Sequence, residues 1–444
     1  MTLCEYCNCL RGKRIAVLGY GISNRPLVRL LLEHGLDVTV RDKRECEAEG
    51  ARVLCGADYL SDLTEDVIFR SPGIMPHVPE IAAAVERGAV LTSEMEAFFE
   101  VCPCKIIAIT GSDGKTTTTT LIGEMLRAAG KTVHVGGNIG TPLLDRADTI
   151  NPDDFAVLEL SSFQLITMRQ SPDIAVVTNI GPNHLDIHTD LTEYIDAKKN
   201  IFAYQDSDDL LVLNAKNEVT RGFADEATAA VRFFNAVGGQ RGVCLKNGEI
   251  QINGAVVMTA DEIKIPGAHN IENYMAAIAA LAGVVPQEFM RLVAREFGGV
   301  EHRIELVRTL DGVRYFNSSI DSSPARTIAA LSAFDQKVIL IAGGKDKGVP
   351  FDSLGPAIQE RAKALVLTGK TAEVIKRALE CSPGYAGAPQ ITVADGFEDA
   401  VHAARRLAHP GDVVLLSPAS TSFDRFANFE ERGNTFKEIV NGLT

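Results

Sequence analysis

Short apolar runs recur along this chain, and stretches with helical spacing separate them. The first run, IAVLG at 15–19, leads into the turn Gly19-Tyr20-Gly21 and then apolar positions at helical spacing over 27–34. Gly35 can close that helix, and DVTVRD at 37–42 supplies a second strand that ends in an acid. Further βα material through Phe99 contains the turn Ser71-Pro72-Gly73. A new unit opens with KIIAIT at 105–110 and runs straight into GSDGKTTTTT. The helix that follows places Leu121, Ile122, Met125, Leu126 and Ala129 on one face. Apolar strands are expected at 155–160, 174–178 and 210–213, and after Glu301-His302-Arg303 at 313–316, 338–341, 364–367 and 413–416. Strands alternating with helices throughout predict α/β domains with largely parallel sheets.

Composition narrows the function classes. With 444 residues, 46% hydrophobic and 23% charged, the chain has an ordinary core-forming composition and is neither disordered nor fibrous. A net charge of -14 argues against a broad nucleic-acid-binding or anionic-membrane surface. No apolar run approaches the roughly 18 residues of a membrane span, and 1–13 lacks a charged segment followed by an apolar one. A cytoplasmic protein is expected. Nine cysteines, an odd number, read as reduced thiols. Cys4, Cys7 and Cys9 complete no recognised zinc spacing, even with the pair Cys102 and Cys104, so the N-terminus is expected to be frayed, with incidental thiols.

The strongest local signal is the strand at 105–110 followed by Gly111-Ser112-Asp113-Gly114-Lys115-Thr116 and a helix. Glycines let backbone approach phosphates, N–H groups at the helix start bind anionic oxygens, the lysine reaches the outer phosphates, and the threonine hydroxyl can hold Mg²⁺. The loop is a shortened form, because the strict pattern has glycine where Ile109 stands. Gly19-Tyr20-Gly21 is weaker: Asn24 occupies the place of the third glycine of a dinucleotide loop, and a plain tight turn fits as well. Glu159 ends the apolar run FAVLEL, where α/β sheets put ligands.

The shortened loop with Thr117 resembles the ATP loop of the Mur ligases, the amide ligases of peptidoglycan precursor synthesis. Colinear segments agree: Gly136-Gly137-Asn138-Ile139-Gly140, Glu159-Leu160-Ser161-Ser162-Phe163-Gln164-Leu165, Thr178-Asn179-Ile180-Gly181-Pro182-Asn183-His184-Leu185-Asp186 and Tyr194-Ile195-Asp196-Ala197-Lys198. Gly267-Ala268-His269-Asn270, Glu301-His302-Arg303, Gly343-Gly344-Lys345-Asp346-Lys347-Gly348 and Asn428-Phe429-Glu430-Glu431-Arg432-Gly433 complete the series. Ser161–Leu165 and Ser422-Phe423-Asp424 with Asn428-Phe429-Glu430 point to the D-glutamate-adding members.

The resemblance implies three domains: 1–95, Rossmann-like, for a UDP-linked substrate; 96–300, a P-loop-type ATPase domain with a mostly parallel sheet; and 301–444, Rossmann-like, contacting the amino acid and nucleotide. It implies ATP-driven ligation of D-glutamate to UDP-N-acetylmuramoyl-L-alanine through an acyl phosphate, with Mg²⁺, by a monomer in the cytoplasm, serving cell-wall biogenesis, cell shape and cell division. ATP would be held by Gly111, Ser112, Asp113, Gly114, Lys115, Thr116 and Thr117, with Asn270, Asn273, His302 and Arg303 near the base and ribose. Thr116, Glu159, His184 and a carbamylated Lys198 would hold magnesium; Lys198 is preferred over Lys199 because it falls four residues after Tyr194. Lys115, Asn138, His184 and Lys198 would be catalytic. Lys43, Arg44, Gly73 and Asn138 would face the UDP-linked substrate, so that the Gly19/Gly21 turn serves UDP, not NAD. Ser322, Lys347, Ser422, Phe423 and Phe429 would line the D-glutamate pocket.

One departure stands out. The family has Asn-Asp-Ser-x-Ala-Thr where this chain has Asn317-Ser318-Ser319-Ile320-Asp321-Ser322, so the acid is missing at 318 and one appears at 321. Adenosine binding is expected to be retained in altered form. Alternatives are a folylpolyglutamate-type ligase, a non-catalytic nucleotide-binding relative and, remotely, an NAD dehydrogenase.

Overall fold

The computed structural model describes residues 1–181, 187–346 and 348–444. They form three sheets. The first contains β1 (Arg14–Leu18), β2 (Asp37–Asp42), β3 (Arg52–Cys55), β4 (Val67–Arg70) and β5 (Val90–Thr92), all parallel in the order β3-β2-β1-β4-β5. Its central strands are almost wholly buried, as strands covered on both faces must be. The order reverses between β1 and β4, the place where such sheets open a ligand crevice. There Gly19 has φ 83°, and a Cβ on it would lie 2.9 Å from the Ser71 Cβ. The turns 19–21 and 71–73 therefore adjoin through a position that only glycine fills without strain.

The second sheet contains β6 (Lys105–Thr110), β7 (Val133–Gly137), β8 (Phe155–Glu159), β9 (Ile174–Val177), β10 (Leu210–Asn214), β11 (Ala230–Phe234), β12 (Gly242–Lys246), β13 (Glu249–Ile252) and β14 (Ala255–Thr259). Their order is β14-β13-β12-β11-β10-β9-β6-β8-β7, parallel from β7 to β12. β12–β14 make two antiparallel hairpins turned at Asn247-Gly248 and Asn253-Gly254, all four with positive φ, as the tight hairpin turn requires. The third sheet contains β15 (Glu305–Leu310), β16 (Val313–Asn317), β17 (Val338–Ala342), β18 (Ala362–Leu367), β19 (Gln390–Val393) and β20 (Val413–Leu416). Its order is β15-β16-β20-β17-β18-β19, with only β15 antiparallel.

Two compact units result: Met1–Glu262 with Glu272–Ala294, and Ile263–Ile271 with Arg295–Thr444. In the first unit one apolar cluster runs from Leu3 and Ile15 through Phe98 and Leu144 to Leu158 and Leu213, so the first two sheets share a core. In the second unit separate clusters form around Leu340 and around Ile341, successive residues of β17 that face opposite sides of the sheet. The expectation of a frayed N-terminus is corrected. Leu3–Cys9 is a helix with a capping box between Thr2 and Glu5, and it buries Leu3, Tyr6 and Cys7. Among the described residues no helix is long and apolar enough to cross a membrane.

Candidate active site

The strand β6 ends at Thr110, and the chain turns through Gly111–Gly114 into the helix Lys115–Ala128. Gly111 has φ 143°, and a Cβ there would lie 1.9 Å from the Thr178 hydroxyl; Gly114 has φ 79°, with Asn273 Oδ1 2.4 Å from its Cβ position. Both glycines are thus required by conformation and by close approach. The loop is braced from the segment after β9. Thr178 Oγ1 donates to the carbonyls of Asp113 (2.6 Å) and Thr110 (3.2 Å), the Asp113 N–H donates to Asn179 Oδ1 (2.9 Å), and Ser112 Oγ lies 2.9 Å from the Tyr194 hydroxyl. Lys115 Nζ donates to the Gly111 and Ser112 carbonyls, each at 3.0 Å. Thr116 and Thr117 open the helix half-buried.

Glu159, the last residue of β8, is buried beside this loop, in register with Ile109 on one side and Gly137 on the other. Its Oε1 accepts the Asn138 side-chain N–H at 2.7 Å, and its Oε2 has no partner among the described residues. Lys198, on the helix Leu191–Lys199, is also buried and donates to the Gly111 carbonyl (2.9 Å) and Thr110 Oγ1 (3.2 Å). Burial, with the neighbouring charge of Lys115, pushes its pKa well below the usual lysine range against the pull of Glu159 and Asp113. Lys199 instead pairs with Glu226 at 2.8 Å, so geometry separates the two lysines as the spacing from Tyr194 does. A buried carboxylate oxygen without a donor is costly unless a ligand completes it. Among the described residues no three His, Cys, Asp or Glu side chains gather at one point. A cation here would therefore rely on hard oxygens, those of Glu159, Thr116 and a nucleotide, which suits magnesium. His184 and Lys347 lie outside the described residues.

In the first sheet, Lys43 and Arg44 are exposed just beyond β2, and Gly73 is exposed beyond β4. Asp42 ties the neighbouring turn: one oxygen accepts the Tyr20 N–H (2.6 Å) and the other the Arg44 N–H (2.8 Å). Asn24, where a third glycine would stand, donates to the carbonyls of Gly19 (2.8 Å) and Leu18 (3.2 Å), and so fixes the turn by a side chain.

In the second unit, Asn270 is buried and donates to the Pro266 carbonyl at 2.5 Å; Asn273, one turn further along the same helix, belongs to the first unit. His302 is buried, with φ 61°. Its ring bonds the Asn317 amide at 2.9 Å and meets the Phe429 ring edge-on at 6.0 Å, while burial lowers its pKa. Arg303 is exposed, Ser322 half-buried and Ser422 buried, and Phe423 is 62% exposed. Asp321 is buried, accepts hydrogen bonds from Ser417 Oγ (2.8 Å) and the Ser318 side chain, and has its pKa pushed up to about 6 by burial. The carboxylate absent at 318 thus arrives on the side chain of Ser318.

Pattern reading left Thr178, Asn179, Tyr194 and Arg432 without individual roles, although all four stand inside the motifs it singled out. Arg432 is buried and bonds Ser319 Oγ (3.0 Å), the Ser319 carbonyl (2.8 Å) and the Ser420 carbonyl (3.1 Å). A buried arginine among serines leaves no periodic trace, so position in a motif was the only signal.

The chain matches the Mur ligase middle domain over residues 109–281 and the Mur ligase, glutamate ligase domain over 302–420. It is 50% identical to the UDP-N-acetylmuramoylalanine--D-glutamate ligase of Ruminiclostridium cellulolyticum, covering 98% of this chain and 97% of the relative. The protein of that name from Acetivibrio thermocellus is 49% identical with the same coverage, and that from Clostridium novyi is 46% identical over 100% of this chain and 99% of its own. In fold the chain is similar to a UDP-N-acetylmuramate-alanine ligase of Thermotoga maritima, with TM-score 0.58, 18% identity and coverage of 97% and 99%. It is likewise similar to a UDP-N-acetylmuramoyl-L-alanyl-D-glutamate--2,6-diaminopimelate ligase, with TM-score 0.57, 17% identity and coverage of 98% and 94%.

Proposed function

The chain belongs to the Mur ligase family, and from that premise we propose that it joins D-glutamate to UDP-N-acetylmuramoyl-L-alanine at the expense of ATP, in peptidoglycan precursor synthesis. The observation that carries this is the 50% identity, end to end, with a ligase of that name. The braced phosphate loop beside the buried Glu159 supports this reading.

The alanyl carboxylate attacks the γ-phosphorus of ATP, the bond to the β-phosphate oxygen breaks, and ADP leaves. The amine of D-glutamate then attacks the acyl carbon, gives up a proton, and phosphate departs from the tetrahedral intermediate. Three anionic reactants must be brought together, so catalysis rests on positioning and on fixed positive charge. The N–H groups of Gly111–Thr117 receive the phosphates at the helix N-terminus, and Lys115 leaves its loop carbonyls to reach the outer ones. Thr116, Glu159, His184 and Lys198 would hold magnesium, which supplies positive charge where phosphoryl charge develops. Lys198 would do so after carbamylation, which turns an amine into an oxygen ligand; its depressed pKa favours the neutral amine that reacts with CO₂. Asn138, bonded to Glu159, would contact the UDP-linked substrate and the transferring phosphate. Lys43, Arg44 and Gly73 would hold the UDP end. Asn270, Asn273, His302 and Arg303 would surround the adenosine, and Ser322, Lys347, Ser422, Phe423 and Phe429 the incoming amino acid. A cytoplasmic monomer, contributing to cell shape and division, completes the proposal.

Phosphate release from ATP, measured with UDP-N-acetylmuramoyl-L-alanine and D-glutamate together and with each omitted, tests it. Turnover requiring both is expected. Turnover with a folate and glutamate instead would sink it.

A further inference from the structure

Arg70 is the last residue of β4 and stands immediately before the turn Ser71-Pro72-Gly73. It is 1% exposed, and its guanidinium faces two ways. Nη1 donates to the carbonyls of Ile74 (3.1 Å) and Pro72 (3.5 Å), in the turn itself. Nη2 donates to the Phe163 carbonyl (2.5 Å) and to Thr167 Oγ1 (3.1 Å), in the segment that follows Glu159. The Thr167 hydroxyl donates in turn to Glu96 (3.2 Å), which also accepts from Ser93 (2.8 Å). On the far side the Phe163 ring stacks on His188, with centroids 5.1 Å apart and planes 5° from parallel. His188 bonds Ser162 Oγ (2.9 Å) and meets Tyr194 edge-on, and Tyr194 reaches Ser112 of the phosphate loop. An unbroken series of contacts thus runs from the 71–74 turn through Arg70 to Ser112.

We propose that Arg70 is a positioning residue that fixes the turn holding the UDP end of the substrate relative to the strand end carrying Glu159. The inference rests on the substrate assignment above. One end of a long substrate is held at the first sheet and its carboxylate reacts at the second, so the distance between the two sites sets the reacting geometry. A planar fork with donors on both sides spans that gap, and a lysine, with a single nitrogen, cannot bond both segments in the same way. An error of about 1 Å in such a distance can cost about 10²-fold in rate.

Steady-state phosphate release with wild type, Arg70→Lys and Thr167→Val tests this, together with calorimetric binding of UDP-N-acetylmuramoyl-L-alanine and thermal denaturation. Thr167→Val removes the hydroxyl that links Arg70 to Glu96 and leaves the bonds of Arg70 to the Pro72, Ile74 and Phe163 carbonyls, so it probes the link even where a replacement of Arg70 fails to fold. The expected result is a fall of about tenfold or more in kcat/KM for the UDP-linked substrate in Arg70→Lys and a smaller fall in Thr167→Val, with KM for ATP unchanged within about twofold and Tm little changed in Thr167→Val. Unchanged kcat/KM for the UDP-linked substrate in both variants overturns the proposal, as does a loss that falls equally on both substrates and tracks loss of Tm. If wild type neither binds nor turns over the UDP-linked substrate, the substrate assignment fails instead, and that outcome is distinct from either of these.

Discussion

The side-chain amide of Asn138 donates to one oxygen of Glu159 at 2.7 Å and leaves the other oxygen with no partner among the described residues. One oxygen of the carboxylate is therefore oriented by the protein, and the other is buried without a donor among the described residues. Glu159→Gln keeps the shape and the Asn138 contact but removes the charge. Ligation should fall by about 10²–10³-fold, the usual cost of losing one preorganised electrostatic contact. Thermal stability without nucleotide should hold or rise, because the orphaned charge is gone. Phosphate release and a denaturation curve without ligand check both.

Lys198 yields a dependence on pH and on bicarbonate. Its pKa is lowered in the fold, so the folded state binds fewer protons there than the unfolded chain. Stability contributed by this group therefore rises with pH, from the lowered folded pKa up to the ordinary lysine value near 10.4. Lys198→Met should flatten the rise in Tm between pH 7 and 9 and abolish ligation. Wild-type turnover in degassed, bicarbonate-free buffer should recover on adding bicarbonate, and equal turnover in both buffers would remove the carbamylation.

Gly111→Ala places a methyl group 1.9 Å from the Thr178 hydroxyl at a φ of 143°. Relief requires moving either the loop or the strand end that braces it. A loss of about 1–3 kcal/mol is expected from backbone strain alone. ATP affinity should fall further than stability, and urea denaturation with nucleotide titration separates the two. Combining the change with Thr178→Ser, which keeps the hydroxyl, should not rescue it.

Asp321 has the opposite sign from an ordinary carboxylate. Its pKa is raised to about 6, so the folded state holds a proton that the unfolded chain releases near 4. Its contribution is present below about 4 and is lost as pH rises through 6, a swing of roughly 3 kcal/mol at 1.36 kcal/mol per pH unit. Asp321→Asn can still accept from Ser417 and Ser318, and should remove that slope and stabilise the third-sheet unit at pH 7. Denaturation at pH 4, 5, 6 and 7 reads it directly.

The parallel sheets were legible because their strands are continuous apolar rows: the runs at 105–110, 155–160 and 413–416 appear as strands within a residue or two of their expected ends. The phosphate loop was legible because two glycines, a lysine and a threonine mark it. The helix Leu3–Cys9 was not. Seven residues give too few turns for a period, and its burial depends on partners such as the helix Glu94–Val101 far along the chain. The hairpins of β12–β14 were missed because their strands are short and half-polar, although Asn247-Gly248 and Asn253-Gly254 carried the turn signal. Arg70 was invisible for another reason: an isolated arginine at a strand end has no pattern, and only tertiary structure reveals that its two edges face different segments.

The Gly111 carbonyl accepts from both Lys115 and Lys198, at 3.0 and 2.9 Å. Two lysine side chains share one acceptor, next to a carboxylate oxygen with no partner among the described residues and a backbone angle that favours glycine. In energy-landscape language this is a patch of local frustration inside an otherwise consistent fold. On the proposed reading, nucleotide arrival would relieve it by drawing Lys115 from the carbonyl onto phosphate. The phosphate loop should consequently be the part of the molecule whose amide hydrogen exchange slows most on binding, while the strands beneath it change little.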